Sequence, residues 1–171
     1  MTPSLIEKKT DEYWMWQALM LAQQAADADE VPVGAIVVQN ERIIGRGFNQ
    51  PISCCDPTAH AEIQALRDAA KRINNYRLND ATLYVTIEPC SMCAGAMVHS
   101  RIKRLVFGAL EPKAGAIVSQ NRQLEQPHLN HKVLHTAGVC ADECSQIMSQ
   151  FFSRRRKEKA EKKRQKNQTV D

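Results

Sequence analysis

The chain has 171 residues, 43% of them hydrophobic and 25% charged, which is ordinary for one globular domain and large enough to bury a core without disulfide bonds. The net charge of +4 is uneven, because residues 154–171 hold nine Lys/Arg and three Asp/Glu whereas residues 1–153 hold 14 and 16. We therefore predict a domain over residues 1–153 and a basic helical tail over residues 154–171. Such a tail either binds phosphates or is a solvated helix end.

The composition also argues against a secreted or membrane-spanning protein. Residues 1–12 carry charges around the short apolar pair Leu5-Ile6, unlike a signal peptide. No apolar segment approaches the length that crosses a bilayer. Six cysteines without a secretory signal are typical of a reducing compartment, where thiols bind metal or pack in the core. We expect a cytoplasmic protein without a membrane segment.

The first half of the chain predicts a helix, a hairpin and a second helix. In residues 11–28 apolar side chains recur every three or four positions without Gly or Pro, which predicts a helix. Residues 31–38 and 42–49 are short strand-like runs on either side of an Asn-Glu turn, which predicts an antiparallel hairpin. After a loop with two prolines, a helix is expected from Thr58 or Ala59 to about Arg72.

The second half predicts a strand–helix–strand unit. The sequence predicts a fully buried strand at residues 82–87, a helix at residues 90–99 and a second strand at residues 104–109. This order places the two strands parallel, and ligands then bind at their carboxyl ends. A weak last strand is expected at residues 132–135, and a final helix begins near Asp142 and continues into the tail. The fold class is α/β.

Three side chains form a candidate metal site. His60 and the pair Cys90 and Cys93 are the types of ligand that zinc prefers, and a structural zinc normally has four. Three ligands leave one place for water, which predicts a catalytic zinc. A closed structural site with Cys54 or Cys55 as fourth ligand, and a redox pair of Cys90 and Cys93, are the alternatives.

Glu62 is the candidate acid/base beside this site. On a helix, residues two apart point about 200° apart, so His60 and Glu62 should not bind the same ion. Glu62 can instead reach a water from the side. Two thiolates and a neutral imidazole cancel the charge of Zn²⁺, so the water needs such a helper to lose its proton. Pro89 suits a helix start, where exposed N–H groups favour the thiolate of Cys90.

The pattern His60-x-Glu62 with Pro89-Cys90-x-x-Cys93 resembles the signature of zinc-dependent nucleobase deaminases. Together with residues 75–78, 81–109 and 141–144 and the Arg-rich end, it makes nearly the whole chain similar to the bacterial tRNA-specific adenosine deaminase family. The resemblance implies a cytidine-deaminase-like three-layer α/β/α sandwich with a five-stranded mixed sheet. It also implies a homodimer that acts on the first anticodon position of a tRNA, in particular the arginine tRNA with anticodon ACG.

The resemblance also implies a role for each residue that matches the family pattern. It makes His60, Cys90 and Cys93 the ligands of one zinc ion per subunit and Glu62 the proton shuttle. Further residues are expected to contact the substrate: Asn49 at the base edge, Val33 and Ala61 lining the base pocket, Glu88 and Pro89 through their backbone, and Glu111 in a loop that meets the nucleotide.

Two departures from the family pattern concern the path of the RNA. Cys54-Cys55 stands where the best-known member of the family has a basic pair, which removes positive charge from a loop expected to touch RNA. Glu111-Pro112 replaces an aspartate and a small residue, and the proline stiffens the loop and lacks an N–H donor. Neither change touches the residues expected to carry the chemistry.

Two other functions are compatible with the same motifs. A deaminase of free cytidine, cytosine or guanine would share the zinc motif and would not need the tail. A nonenzymatic zinc-stabilised RNA-binding module would leave Glu62 as an ordinary helix residue. The open ligand place argues against the module, and the basic tail favours RNA over a free base.

Overall fold

The computed structural model describes residues 9–168, and the side chains of residues 9–166. Residues 1–8, where no signal peptide is expected, and the last three residues of the predicted tail lie outside this range. The helices and strands are α1 (Asp11–Asp27), β1 (Gly34–Gln39), β2 (Arg42–Phe48), α2 (Ala61–Ile73), β3 (Thr82–Ile87), α3 (Ser91–His99), β4 (Arg104–Ala109), β5 (Leu134–Ala137) and α4 (Ala141–Gln168).

The five strands form one mixed sheet in the order β2-β1-β3-β4-β5. β1 pairs antiparallel with β2 and with β3, whereas β3, β4 and β5 are parallel. The predicted hairpin, the strand–helix–strand unit and the five-stranded mixed sheet are therefore confirmed. The carboxyl ends of β3 and β4 meet at one edge of the sheet, where Ile87 pairs with Ala109. This edge carries the segment that leads into Cys90.

Helices cover both faces of the sheet, which confirms the three-layer α/β/α architecture. Side chains of β1 alternate between the faces: Ala35 and Val37 pack in the core under α2 and α3, whereas Ile36 and Val38 pack under α1 and α4. This period of two is the expected pattern for a strand buried on both faces. Gly47 of β2 lets α2 approach closely, since a Cβ there would lie 2.3 Å from the carbonyl oxygen of Ala61.

Several element boundaries differ from the predicted ones for local reasons. β1 begins at Gly34 rather than at residue 31, because Pro32 has no N–H and Val33 N–H bonds back to the Val31 carbonyl in a tight turn. The last strand is β5 at residues 134–137 rather than 132–135. α2 begins at Ala61, two or three residues later than predicted, because His60 is extended with φ −73° and ψ 152°.

The final helix α4 is 28 residues long and continues through the basic region. Its first turns pack on the sheet: Cys144 is buried against Gly108 of β4, and Phe151 is buried. From Arg154 onward the described side chains are exposed, apart from the half-buried Glu158. No helix within residues 9–168 has the length and apolar character needed to cross a membrane.

Candidate metal centre and active site

Two helix N-termini meet at the carboxyl end of β3. His60 and Cys90 occupy the residue just before α2 and α3, both in extended conformation, and neither side chain caps its own helix. Cys93 lies in the first turn of α3. The side chains are therefore free to converge on one another. The positive ends of the two helices lie next to them, which favours the thiolate form of the cysteines.

The distances between the three side chains fit a zinc ion. The Nδ1 atom of His60 lies 3.7 Å from Sγ of Cys90 and 3.6 Å from Sγ of Cys93. Bonds of about 2.0–2.1 Å to nitrogen and about 2.3 Å to sulfur in a tetrahedral arrangement separate those ligand atoms by about 3.5 Å. The three ligand atoms lie within 4.8 Å of one another. The donor set and its spacing are thus those of a metal site.

No fourth protein ligand joins this cluster in the described part of the chain. His60, Cys90 and Cys93 form the group that could hold a metal, and Cys54 and Cys55 lie outside it as exposed free thiols. This arrangement argues against the closed structural site. A zinc site with three protein ligands keeps a position for water or substrate.

The three side chains share protons among themselves. Hydrogen bonds from Cys93 and His60 lower the pKa of the Cys90 thiol to about 3. The same contact with Cys90 raises the pKa of Cys93, and it also raises the pKa of His60. Of the two cysteines, Cys90 is therefore the one that more readily loses its proton. A divalent cation binds such a donor set by displacing the shared protons.

Glu62 lies beside the cluster as a buried carboxyl group. Glu62 is 3% exposed and lies close to Cys93, but it is not a member of the ligand group. Burial raises the pKa of Glu62 to about 6. A carboxyl group with a pKa near neutrality can both accept and donate a proton at physiological pH, which is what general acid/base catalysis requires.

Asn49 is attached to the start of α2. Its Oδ1 accepts a 2.9 Å hydrogen bond from the N–H of Ala61, and its own N–H donates to the carbonyl of Val33. The structure therefore brings Asn49, Val33 and Ala61 together next to His60. Within the described residues the Nδ2 group of Asn49 has no hydrogen-bond partner. Since Oδ1 already accepts a hydrogen bond, the Asn49 side chain can donate a hydrogen bond to a ligand from Nδ2 but is not available as an acceptor.

The fold recurs in known deaminases. Residues 9–156 match the MafB19-like deaminase family. The chain is 54% identical over 160 residues to the tRNA-specific adenosine deaminase of Haemophilus influenzae, covering 93% of this chain and 92% of that protein. This chain belongs to the tRNA-specific adenosine deaminase family. It is therefore an enzyme, a hydrolytic deaminase.

Two solved structures extend the comparison. One, from a study of A-to-I editing by tRNA:A34 deaminases at the wobble position of transfer RNA, matches with a TM-score of 0.77 and 42% identity over 79% of this chain and 98% of that chain. Another, the guanine deaminase from Nitrosomonas europaea, matches with a TM-score of 0.73 but 23% identity, over 88% of this chain and 93% of that chain. The second likeness shows the common fold alone.

Glu88 of this deaminase holds a loop, a role that the sequence did not reveal. Its side chain is 2% exposed, and its carboxylate accepts hydrogen bonds from four backbone N–H groups and one hydroxyl. The donors are Glu111 N at 3.0 Å, Ile117 N at 3.1 Å, Val118 N at 2.7 Å, Ser119 N at 2.9 Å and the Ser119 hydroxyl. Although burial alone would raise the pKa of Glu88, these bonds hold it below its usual value.

The neighbouring backbone groups are also occupied. The N–H of Glu88 donates to the Ala109 carbonyl, and the Pro89 carbonyl accepts from Ala116. The carboxylate of Glu111 accepts a 3.0 Å bond from the N–H of Lys113 in its own loop. The residues expected to meet the substrate at this edge thus have intramolecular partners.

Glu30 holds a second loop, and the sequence pattern did not predict this role either. It is 1% exposed, and its carboxylate accepts from Ile52 N at 3.3 Å and from the N–H and hydroxyl of Ser53, both at 2.7 Å. This loop carries Cys54 and Cys55 and returns to the site through a bond from Gln50 N to the Ala59 carbonyl. The one signal in the sequence is an acidic residue between a helix and a buried strand.

Proposed function

We propose that this deaminase converts adenosine to inosine at the first anticodon position of a tRNA, in particular the arginine tRNA with anticodon ACG. The observation that carries the proposal is the convergence of His60, Cys90 and Cys93 at zinc-ligand spacing beside the buried Glu62. Membership of the tRNA-specific adenosine deaminase family supports the nature of the substrate. The reaction consumes one water and releases ammonia.

His60, Cys90 and Cys93 would hold one zinc ion in each subunit. Bound there, zinc would lower the pKa of water and so would supply a nucleophile at neutral pH. Two thiolates and an imidazole would cancel the charge of the ion, so this donor set would acidify water less than three histidines would. The nearby carboxylate of Glu62 therefore has a necessary part in removing the proton.

Glu62 would move protons between the water and the base. As a carboxylate it would accept one proton from the attacking water and pass it to N1 of adenine, and it would then take the second proton, from the hydroxyl on C6, and pass it to the amine that leaves as ammonia. Its burial serves this cycle, because a pKa of about 6 lets the group be ionised at neutral pH and still hold a proton transiently. One carboxyl group therefore acts at more than one step.

Asn49, Val33 and Ala61 would form the pocket for the flipped base. The N–H of Ala61 fixes the orientation of the Asn49 amide, so Nδ2 is presented as a donor to an acceptor nitrogen of the purine. Val33 and Ala61 are 5% and 0% exposed and would form the apolar backing of this pocket. An anticodon loop offers bases that leave their stack at lower cost than those of a duplex.

The basic tail would add contacts with phosphates. Arg154 fixes its course, donating to the Ala26 carbonyl at 3.1 Å and to Asp29 at 2.9 Å at the end of α1. Glu30, the next residue, holds the loop of Cys54 and Cys55. The tail therefore leaves the domain beside that loop. We further propose a deaminase domain of residues 1–153 and a tail of residues 154–171, in a cytoplasmic homodimer.

Three hairpins with the same loop test the proposed substrate. One is RNA with adenosine at the first anticodon position, one is RNA with cytidine there, and one is DNA with deoxyadenosine. We expect inosine from the first well ahead of uridine or deoxyinosine from the others, and metal analysis should find one zinc per chain. Faster conversion of the cytidine hairpin, or of free cytidine, cytosine or guanine, would instead support the deaminase of free bases and nucleosides.

A further inference from the structure

The carboxylate of Glu88 is a buried anion that is neutralised by a loop. Its hydrogen-bond partners all belong to residues 111–119, and three of them are the successive N–H groups of Ile117, Val118 and Ser119. Successive N–H groups that point inward form an anion-binding concavity. Here the anion comes from the protein itself. The loop and the end of β3 therefore form one unit.

Gly115 permits this arrangement. A Cβ at Gly115 would lie 2.3 Å from both Cδ and Oε2 of Glu88, closer than real atoms approach. The loop backbone thus passes directly over the carboxylate, and no side chain separates them. This contact explains how a charged group can be 2% exposed and still have every oxygen bonded.

The same loop contacts the residue before Cys90, and Gln123, which follows the loop and donates from its N–H to the Ala116 carbonyl, contacts the residue after it. Ala116 N–H donates to the Pro89 carbonyl at 2.8 Å, and Nε2 of Gln123 donates to the Ser91 carbonyl at 3.1 Å. Glu88 itself lies two residues before Cys90. A shift of the loop would therefore change the wall next to the metal ligands, although no loop residue belongs to the ligand group.

We propose that Glu88 is a positioning residue that fixes the loop of residues 111–119 as one wall of the nucleotide site, and that its side chain does not contact the substrate. The inference rests on the proposed function for the identity of the nucleotide. It assigns the carboxylate a task that neither zinc binding nor proton transfer requires: to hold the wall in one position before RNA arrives, so that the ordering cost is not met during binding.

Glu88→Gln tests this role with little change in shape. The amide keeps one acceptor oxygen, but its NH₂ faces N–H donors and cannot accept their bonds. We expect a KM for the adenosine hairpin about tenfold to a hundredfold higher, as for lost bonds to a charged group. We expect kcat within about threefold of the parent, because Glu62 and the ligands are unchanged. Zinc per chain should equal that of the parent.

Amide hydrogen exchange supplies a readout that does not depend on activity. In Glu88→Gln the amides of Ile117, Val118 and Ser119 should exchange faster, while those of Val37 and Val38 in the sheet keep their protection. Glu125→Gln is the matched control, since Glu125 is exposed just beyond the loop and pairs with Arg122. It should leave KM, kcat and exchange at the parent values.

Several results would overturn the assignment. Unchanged exchange and KM in Glu88→Gln would show that the carboxylate does not hold the wall. Loss of zinc, or a fall confined to kcat, would place Glu88 in the metal centre or the chemistry. If Glu88→Gln does not fold, Ser119→Ala removes only the hydroxyl bond and should raise KM about twofold to fivefold; no change would again overturn the proposal.

The double variant and the parent separate the remaining possibilities. Glu88→Gln with Ser119→Ala should raise KM by less than the product of the single effects, because both act through one contact. If the two effects on KM instead multiply, the substitutions act independently and not through one contact. A parent protein that fails to deaminate the hairpin would refute the proposed function, whereas the exchange comparison would still decide whether Glu88 holds the loop.

Discussion

The loops held by Glu30 and by Glu88 use the same device with different results. Each glutamate is buried and accepts backbone N–H bonds from a loop near the metal ligands. Glu88 binds donors from four residues, whereas Glu30 binds donors from Ile52 and Ser53 alone. A loop bound at many points has one position, while a loop bound at one end can vary beyond it.

The composition of the two loops follows this difference. The Glu88 loop requires Gly115 for close packing and is joined to Pro89 beside a metal ligand. The Glu30 loop exposes Cys54 and Cys55 immediately after its anchor, and Cys55 has a positive φ of 49°. Positions of the second kind can change without disturbing the site. The comparison therefore separates a loop fixed against the residue before a metal ligand from a loop that exposes its side chains to solvent.

The largest effect is expected from substituting Glu62, a carboxyl group that belongs to neither loop. Glu62→Ala should keep zinc and fold but lose about 10² to 10⁴ or more in rate, since the water would lack its proton acceptor. Single-turnover rates on the adenosine hairpin, with metal analysis, measure this. A variant within about tenfold of the parent would remove Glu62 from the mechanism.

Removing the basic tail should weaken the binding of RNA. A chain cut after Phe152 should bind the hairpin less tightly and with a flatter salt dependence, because each phosphate contact contributes a slope of roughly 0.7 to 0.9 in log affinity against log salt. Turnover at saturating hairpin should be unchanged.

A charge-only variant is the control for this truncation. Lys162→Gln, Lys163→Gln and Arg164→Gln together leave the Arg154 contact with α1 intact and should flatten the slope in part. Binding titrations at several salt concentrations compare the three proteins. An unchanged slope in both variants would mean that the tail is a solvated helix end.

Glu30→Gln should have a smaller effect than Glu88→Gln on stability. It disrupts bonds to two residues rather than four, so we expect a loss of about 1–2 kcal/mol in the free energy of unfolding, against about 2–4 kcal/mol for Glu88→Gln. Denaturant unfolding measures both. Amide exchange should quicken at Ile52 and Ser53 only. A loss equal to that of Glu88→Gln would contradict the distinction between the loops.

The smallest effect is expected at the exposed cysteines. Cys54→Ser with Cys55→Ser should leave one zinc per chain and a kcat within about twofold of the parent, because neither thiol belongs to the ligand group. Metal analysis and hairpin assays provide the comparison. Loss of zinc in this double variant would instead support the closed structural site, in which a cysteine of the Glu30 loop is the fourth ligand.

Patterns that act over a few residues were predictable from the sequence. The period of each strand and helix indicated the strands and helices themselves, the family resemblance implied their arrangement in a five-stranded sandwich, and the three-residue spacing of Cys90 and Cys93 placed them on one face at the start of one helix. Boundaries were less accurate, because they depend on single backbone conformations such as that of His60. The ligand types themselves identified a metal site, since few side chains bind zinc.

Contacts between distant segments were decided by the tertiary structure alone. The donors to Glu88 lie 23 to 31 residues away in sequence, and the bond from Ala61 to Asn49 spans 12 residues. Nothing in the local pattern marks a buried glutamate as a loop anchor rather than a substrate contact, because its role is set by which N–H groups the fold brings to it. The sequence alone therefore determined the chemistry of the metal ligands. The tertiary structure decided which distant backbone groups hold the residues around those ligands in place.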